Sequence, residues 1–302
     1  MAGTDVSTPI TVGSLITEGE TLFSVNTLYY GHGTLDAWDE AVYLLFYALN
    51  LGPATERDVL TATVSDADAG KIRALFKRRV TERIPAAYLT SEAWFCGLSF
   101  YVDERVIIPR SPISQLILDQ FKPWLTTTPR RILDLCAGSG CIGISCAYAF
   151  PDAQVTLTDI SADALEVAAF NRRAHGLEAQ IDICESDLFG ELENQCFDLI
   201  VSNPPYVSAP EYVSMPAEYR HEPELALRSG HDGLAFTRRL LAQAHRFLHA
   251  DGLLAVEVGN SAETLQNMFP SVPFMWVEFS EGDGGVFVLS QAQLQENCHF
   301  FL

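Results

Sequence analysis

Between residues 132 and 258 the chain alternates five short apolar runs, 132–135, 155–157, 181–183, 199–201 and 253–258, with segments of helical spacing that include 161–175 and 233–248. A strand that is apolar on both faces must be covered on both, and a strand that is followed by a helix returns to its sheet in parallel through a right-handed crossover. The pattern therefore specifies an α/β fold, a parallel sheet with helices on both faces. Two further runs, 274–279 and 286–289, are joined by Glu281-Gly282-Asp283-Gly284-Gly285. That is a hairpin signal, and it predicts an antiparallel edge to the same sheet. Open sheets of this kind bind their ligands beyond the carboxyl ends of the strands, so chemistry is expected in the residues that follow each run.

The first ninety or so residues lack this alternation and read as helical. Asp36 is suited to cap a helix over 37–49 that ends before Gly52-Pro53, and Ser65 to cap another through Ile72, Leu75, Phe76 and Val80 that stops before Pro85. Lys77, Arg78, Arg79 and Arg83 fall on the other faces of the second helix, where a solvated basic face is expected. From residue 98 to residue 109 the letters alternate and Asp103-Glu104 breaks them, which predicts a hairpin between domains. The expected organisation is a helical substrate-recognition domain over 1–95, a β-hairpin linker over 96–112 and the α/β domain over 113–302.

The first α/β run ends in Asp134-Leu135-Cys136-Ala137-Gly138-Ser139-Gly140-Cys141-Ile142-Gly143 and turns into a helix. Gly138, Gly140 and Gly143 satisfy the G-x-G-x-x-G spacing, which lets a backbone approach a nucleoside closely, and Asp159 ends the next run where an acid can take ribose hydroxyls. A diphosphate such as that of NAD would sit at the helix N-terminus and be repelled by Asp134. The same carboxylate suits a ligand with an ammonium and a sulfonium, which points to S-adenosylmethionine. Asp187, in Glu185-Ser186-Asp187-Leu188-Phe189, is either an acceptor for the adenine amino group or an ordinary turn acid.

The fourth run leads into Asn203-Pro204-Pro205-Tyr206. Two prolines cannot continue a central strand, and each fixes its φ near about −65°, so the chain leaves the sheet in a stiff shape. The Asn203 side-chain carbonyl and the Pro204 backbone carbonyl can both accept from a planar NH2 group, and the Tyr206 ring offers a face for stacking. The arrangement suits a neutral amide or an amine; as four letters alone it is equally a Pro-rich turn with a half-buried tyrosine.

At 302 residues and 48% hydrophobic the chain can bury a sizeable core. No stretch reaches the roughly 18 apolar residues of a membrane span. The start Met1-Ala2-Gly3-Thr4-Asp5-Val6 has neither the basic nor the apolar region of a signal peptide, which predicts a cytoplasmic protein. Cys96, Cys136, Cys141, Cys146, Cys184, Cys196 and Cys298 form no C-x-x-C pair and read as reduced thiols, with no metal site expected. The formal net charge of −20 argues against a nucleic-acid partner. Residues 1–90 hold 11 of the 39 acids and 7 of the 19 bases, leaving 28 and 12 for the remainder, a field that would steer a basic partner protein or serve solubility.

In order and spacing, the glycine loop, Asp159, Ser186-Asp187-Leu188-Phe189 and Asn203-Pro204-Pro205-Tyr206 resemble the class I, seven-stranded methyltransferases of the protein-glutamine group, over about residues 75–290. Cys96-Gly97-Leu98-Ser99-Phe100-Tyr101-Val102, the segment from Glu104 to Ile113 and Tyr219-Arg220-His221-Glu222-Pro223-Glu224-Leu225-Ala226-Leu227 resemble its PrmB-type branch, which methylates a glutamine of a large-subunit ribosomal protein, the third in the usual numbering. The release-factor branch (HemK/PrmC) reads Arg-Pro-Asp-Thr-Glu where this chain has Arg110-Ser111-Pro112-Ile113.

The resemblance implies a seven-stranded Rossmann-like sheet with a small N-terminal helical domain and a connecting β-hairpin, S-adenosylmethionine as donor (leaving S-adenosylhomocysteine), a basic ribosomal protein as substrate, and neither DNA nor membrane as partner. It implies a cofactor site of Asp134, Leu135, Cys136, Ala137, Gly138, Ser139, Gly140, Asp159, Ile160, Asp187, Leu188, Asn203 and Arg110, with Phe100 closing over it. Asn203, Pro204, Pro205, Tyr206, Glu222 and Pro223 are implied at the substrate, with Asn203, Pro204 and Tyr206 catalytic: the first two clamp the glutamine amide and Tyr206 stacks on it. His221 is expected to be a substrate-loop or structural residue. Three alternatives stay open. One is a release-factor glutamine methyltransferase. Another is a DNA adenine methyltransferase, which would need a basic cleft. The third is a non-catalytic assembly factor, which the intact Asn203, Asp134 and Asp159 argue against.

Overall fold

The computed structural model describes residues 9–52, 55–279 and 284–301, and the chain forms two compact units, Met1–Ser91 with Pro216–His221 and Glu92–Met215 with Glu222–Leu302.

The first unit is built from α1 (Val12–Val25), α2 (Ala37–Ala48), α3 (Asp66–Glu82) and α4 (Ala86–Thr90). Asp36 accepts the Asp39 N–H and Ser65 the Asp68 N–H, so both expected caps satisfy backbone donors that a helix start leaves over. Leu15, Phe23, Leu44, Leu45, Ile72 and Phe76 are buried together and hold the helices against one another. The expected solvated face of α3 needs one correction: Arg79 is fully buried and paired with Glu40 and Glu218, both buried as well. A guanidinium is tolerated there because carboxylates surround it, and Glu218 comes from a segment 139 residues away that no local pattern reveals. The same segment carries His221, whose Nε2 lies 3.0 Å from the Glu82 carbonyl, a structural placement.

The second unit opens with a hairpin of β1 (Glu92–Phe95) and β2 (Leu98–Tyr101) that turns at Cys96-Gly97, both at positive φ. The hairpin therefore lies earlier than expected, and Asp103-Glu104 is not its turn. Asp103 instead accepts hydrogen bonds from Arg105 and Tyr101. Then follow β3 (Arg131–Leu135), β4 (Gln154–Asp159), β5 (Ile181–Glu185), β6 (Phe197–Ser202), β7 (Leu248–Glu257), β8 (Met275–Trp276) and β9 (Val286–Ser290), one sheet in the order β5-β4-β3-β6-β7-β9-β8. The strands from β5 to β7 pair in parallel and β9 is antiparallel to both its neighbours, as the alternation and the final hairpin signal require. Of the run 274–279 only Met275–Trp276 pairs as strand, and of the expected connection residues 281–283 lie outside the described residues.

The helices of this unit are α5 (Ile113–Leu118), α6 (Cys141–Ala149), α7 (Ala162–Ala174), α8 (Ala209–Ser214), α9 (Glu224–Leu227), α10 (Ala235–Ala244), α11 (Ala262–Met268) and α12 (Gln291–Asn297). Successive β3 residues serve opposite faces: Ile132 joins a core with Ile117, Ile144 and Val155, while Leu133 joins another with Leu240, Leu241 and Leu254. α10 ends before the expected 248 because Phe247 already accepts the Phe197 N–H and Leu248 belongs to β7. Strand order runs one way from β3 through β4 and the other way from β6 through β7, so the carboxyl ends of β3 and β6 form the switch point where ligands of such sheets sit. Among the described residues no helix is long and apolar enough to cross a membrane.

Candidate active site

The loop after β3 is set by left-handed backbone at Cys136, Gly138 and Gly140, with φ of 60°, 54° and 79°. Its glycines have different tasks. A Cβ at Gly143 would lie 2.1 Å from Leu157 Cδ2 and 3.0 Å from Asp134 Oδ2, so that glycine lets α6 lie on the sheet. A Cβ at Gly138 meets nothing within 4 Å, so the backbone there faces open space. Asp134 is fully buried; Oδ2 accepts the Gly143 N–H at 2.8 Å and Oδ1 has no hydrogen-bond partner. Burial pushes its carboxyl up to about 8 against the pull of that N–H. Asp159 closes the loop from β4, with Oδ2 accepting from Gly138 at 3.0 Å and Oδ1 from Ser161 at 2.9 Å.

A cavity of about 300 Å3 opens beside this loop. Leu135, Cys136, Gly138, Asp159, Ile160, Asp187, Leu188, Asn203, Pro205 and Pro223 line it, which brings together residues expected from four strand ends and the segment after Glu222. Asp134, Ala137, Ser139, Gly140, Pro204, Tyr206 and Glu222 are not on its wall. Two expectations fail. Phe100 does not close over the cavity: it is 1% exposed in the core, its ring 5.0 Å from that of His175. Arg110 does not reach the cavity either, because its guanidinium is held by Glu222 at 2.5 and 2.8 Å. Glu222 also accepts the Ile108 N–H at 2.9 Å, so this pair fastens the chain just before Pro223. Asp187 Oδ2 accepts from Arg239 at 2.8 Å, both side chains half-exposed, and Phe236 and Arg239 of α10 complete the wall beside it.

Asn171, which carries no motif, was missed by sequence reasoning. It is buried in α7, donates to the carbonyls of Ser139 and Tyr101 at 2.9 and 3.0 Å and accepts the Tyr101 N–H, tying the glycine loop to β2.

β6 delivers the Asn-Pro-Pro-Tyr turn. Ser202 is pinned by donating to the Leu135 carbonyl at 2.8 Å, and Asn203 then faces the cavity while Pro204 is buried. Tyr206 is held at three places. Its hydroxyl donates to Glu257 Oε1 at 2.7 Å, its carbonyl accepts from Ser261 Oγ at 2.9 Å, and its ring lies so near Gly259 that a Cβ there would come within 2.6 Å of it.

These residues fit S-adenosylmethionine. The cavity wall combines the Asp159 carboxylate with the apolar side chains of Ile160 and Leu188, a mix that suits a nucleoside, and the buried Asp134 Oδ1 has no hydrogen-bond partner, as an acceptor for an ammonium would.

The model of the methyltransferase small domain family matches residues 112–217. A ribosomal protein uL3 glutamine methyltransferase of Neisseria gonorrhoeae is 48% identical over 274 residues, spanning 90% of this chain and 91% of that protein. The protein of the same description in Neisseria meningitidis serogroup B is also 48% identical, over 90% of each chain. Among solved structures, the hMettl16 catalytic domain, crystallised with a MAT2A 3'UTR hairpin, shares the fold at a TM-score of 0.54 and 16% identity, covering 82% of this chain and 92% of that one.

Proposed function

The chain belongs to the family of ribosomal protein uL3 glutamine methyltransferases, and from that membership we propose how its residues carry out S-adenosylmethionine-dependent methylation of a glutamine side-chain amide in this large-subunit ribosomal protein. One observation carries the site assignment: Asn203 and Pro205, from the turn after β6, line the same cavity as Gly138 and Asp159, from the turns after β3 and β4. The Asn203 acceptor for an amide and a cradle for a nucleoside thus share one space, with Pro204 the next residue along the same turn.

S-adenosylmethionine supplies a methyl group made electrophilic by its sulfonium. Asp159 takes the ribose hydroxyls, Asp134 the ammonium, and Asp187 the adenine amino group in competition with Arg239. The Asn203 side-chain carbonyl and the Pro204 backbone carbonyl each accept one N–H of the glutamine amide. An amide nitrogen is a weak nucleophile because its lone pair is delocalised into the carbonyl. Two acceptors on its hydrogens push density back onto nitrogen and fix the line of attack, and positioning of that kind supplies on the order of 7–11 kcal/mol in favourable models. The methylated nitrogen sheds its extra proton to solvent, so no His or Cys base is required. Tyr206 covers the amide plane. The helical unit is the substrate-recognition part, and the enzyme works in the cytoplasm on a protein rather than on DNA.

The experiment is transfer of labelled methyl to purified uL3, to release factors and to duplex DNA by the wild type and by Asn203→Ala. Label on uL3 alone is expected, with turnover reduced on the order of a hundredfold in the variant while cofactor affinity changes little. Equal losses in turnover and cofactor affinity would contradict the clamp, and label on release factors or DNA would overturn the partner.

A further inference from the structure

Glu257 is the last residue of β7. β7 pairs in parallel with β6, Ser202 opposite Val256, so the residue after each partner is Asn203 on one strand and Glu257 on the other. The Glu257 side chain is buried, and both carboxylate oxygens are taken by hydroxyls: Tyr206 donates to Oε1 at 2.7 Å and Ser111 to Oε2 at 2.5 Å. Ser111 is itself fixed, accepting the Ile113 N–H at 3.2 Å at the start of α5. A line of directional bonds therefore runs from the α5 backbone through Ser111 and Glu257 to the Tyr206 hydroxyl.

A buried acid at a strand end is costly, and an apolar residue would fill the same volume without that cost. Burial raises the Glu257 carboxyl, and the Ser111 and Tyr206 hydroxyls oppose the rise. Short O–H···O⁻ bonds are strong and directional, which is what an apolar side chain cannot provide. Gly259 leaves room for the Tyr206 ring on one side and the hydroxyl is tethered at its tip, so the ring plane is defined from two places.

We infer that Glu257, seated by Ser111, is a positioning residue for methyl transfer: through its hydrogen bond to the Tyr206 hydroxyl it sets the ring that covers the glutamine amide. The inference rests on the reading that Tyr206 lies on that amide.

The test is steady-state methylation of purified uL3 by the full-length wild type and by Tyr206→Ala, Tyr206→Phe, Glu257→Met, Glu257→Gln and the double variant Glu257→Met/Tyr206→Phe, alongside cofactor titration and thermal unfolding of each. Glu257→Met removes the acceptor at similar volume; Glu257→Gln keeps one. The expected result is a kcat lower by on the order of tenfold in Tyr206→Phe and in Glu257→Met, with cofactor affinity retained, since a displacement of about 1 Å in a positioned group costs up to about a hundredfold. Glu257→Gln should recover most of the loss. The double variant should be no slower than the worse single, because both remove one tether. Losses that multiply in the double variant would show that Glu257 acts elsewhere and sink the inference. If Glu257→Met does not fold, Tyr206→Phe decides, and a wild-type kcat there overturns the tether. Tyr206→Ala separates the two levels: no loss in it removes Tyr206 from the amide, whereas a loss in it with none in Tyr206→Phe overturns only the role of Glu257.

Discussion

Asp134 is a residue at which burial and ligand binding pull in opposite directions. Its carboxyl ionises near 3.8 in the unfolded chain and is lifted by burial to about 8 in the fold. Between those values the native protein without cofactor holds a proton that the unfolded chain has lost, so stability is fully present below the lower value and falls as pH rises through the window. Asp159 is raised by burial too and adds with the same sign. An ammonium brought to Asp134 Oδ1 favours the ionised form, so cofactor binding should tighten by on the order of tenfold or more between about pH 6 and about pH 8 as the proton is displaced. In Asp134→Asn, which keeps an acceptor for the Gly143 N–H, both slopes should flatten: thermal unfolding without cofactor should depend less on pH, and the cofactor Kd should be weak and nearly constant. A wild-type Kd that ignores pH over this range would place the ammonium elsewhere.

Among the elements, the β3–loop–α6 unit separates packing from binding at two glycines of one motif. Gly143→Ala drives a methyl against Leu157, which is buried in the core, and against the Asp134 carboxylate. Overpacking of this kind costs roughly 1–3 kcal/mol, to be read as a lower denaturant midpoint. Gly138→Ala has only its positive φ to contend with in the protein, but its methyl projects into open space at a residue that lines the cavity. Its expected signature is the reverse: a smaller stability loss and a larger rise in cofactor Kd, measured by titration. The glycine loop, Asp159 and the Asn-Pro-Pro-Tyr turn were legible in the sequence because each is a local event at a strand end, where period and punctuation coincide. Asn171, Arg79 and Glu257 were not, since what defines each is a partner 32 to 146 residues away: Ser139 for Asn171, Glu218 for Arg79, Ser111 for Glu257. The hairpin was misplaced for a different reason. Its strands are four residues each, and the turn between them lies at Cys96-Gly97, ahead of the alternating letters that drew attention to 98–109.

For the molecule as a whole, the connection after the Asn-Pro-Pro-Tyr turn is shared between units. The chain leaves the catalytic unit at Met215, contributes Pro216–His221 to the helical unit and re-enters at Glu222. Glu218 is buried there against Arg79, so removing the cation in Arg79→Met leaves Glu40 as a buried acid without its cation and Glu218 with only the partly exposed Arg83. That change should destabilise the helical unit by about 3–5 kcal/mol in denaturant unfolding. The net charge of −20 acts over a longer range, and most of it belongs to residues 91–302. A ribosomal protein made to sit among RNA phosphates carries the opposite sign. Attraction between the two raises the encounter rate and is screened over about 10 Å at 0.1 M salt. On uL3, kcat/KM should therefore fall severalfold between about 0.05 and 0.3 M salt while kcat stays level, because screening weakens the approach and leaves the clamped amide alone. A short neutral peptide around the modified glutamine has no such approach to lose, so its kcat/KM should be low and insensitive to salt. If uL3 and the peptide respond alike, the acidic surface serves solubility and the substrate is found without steering.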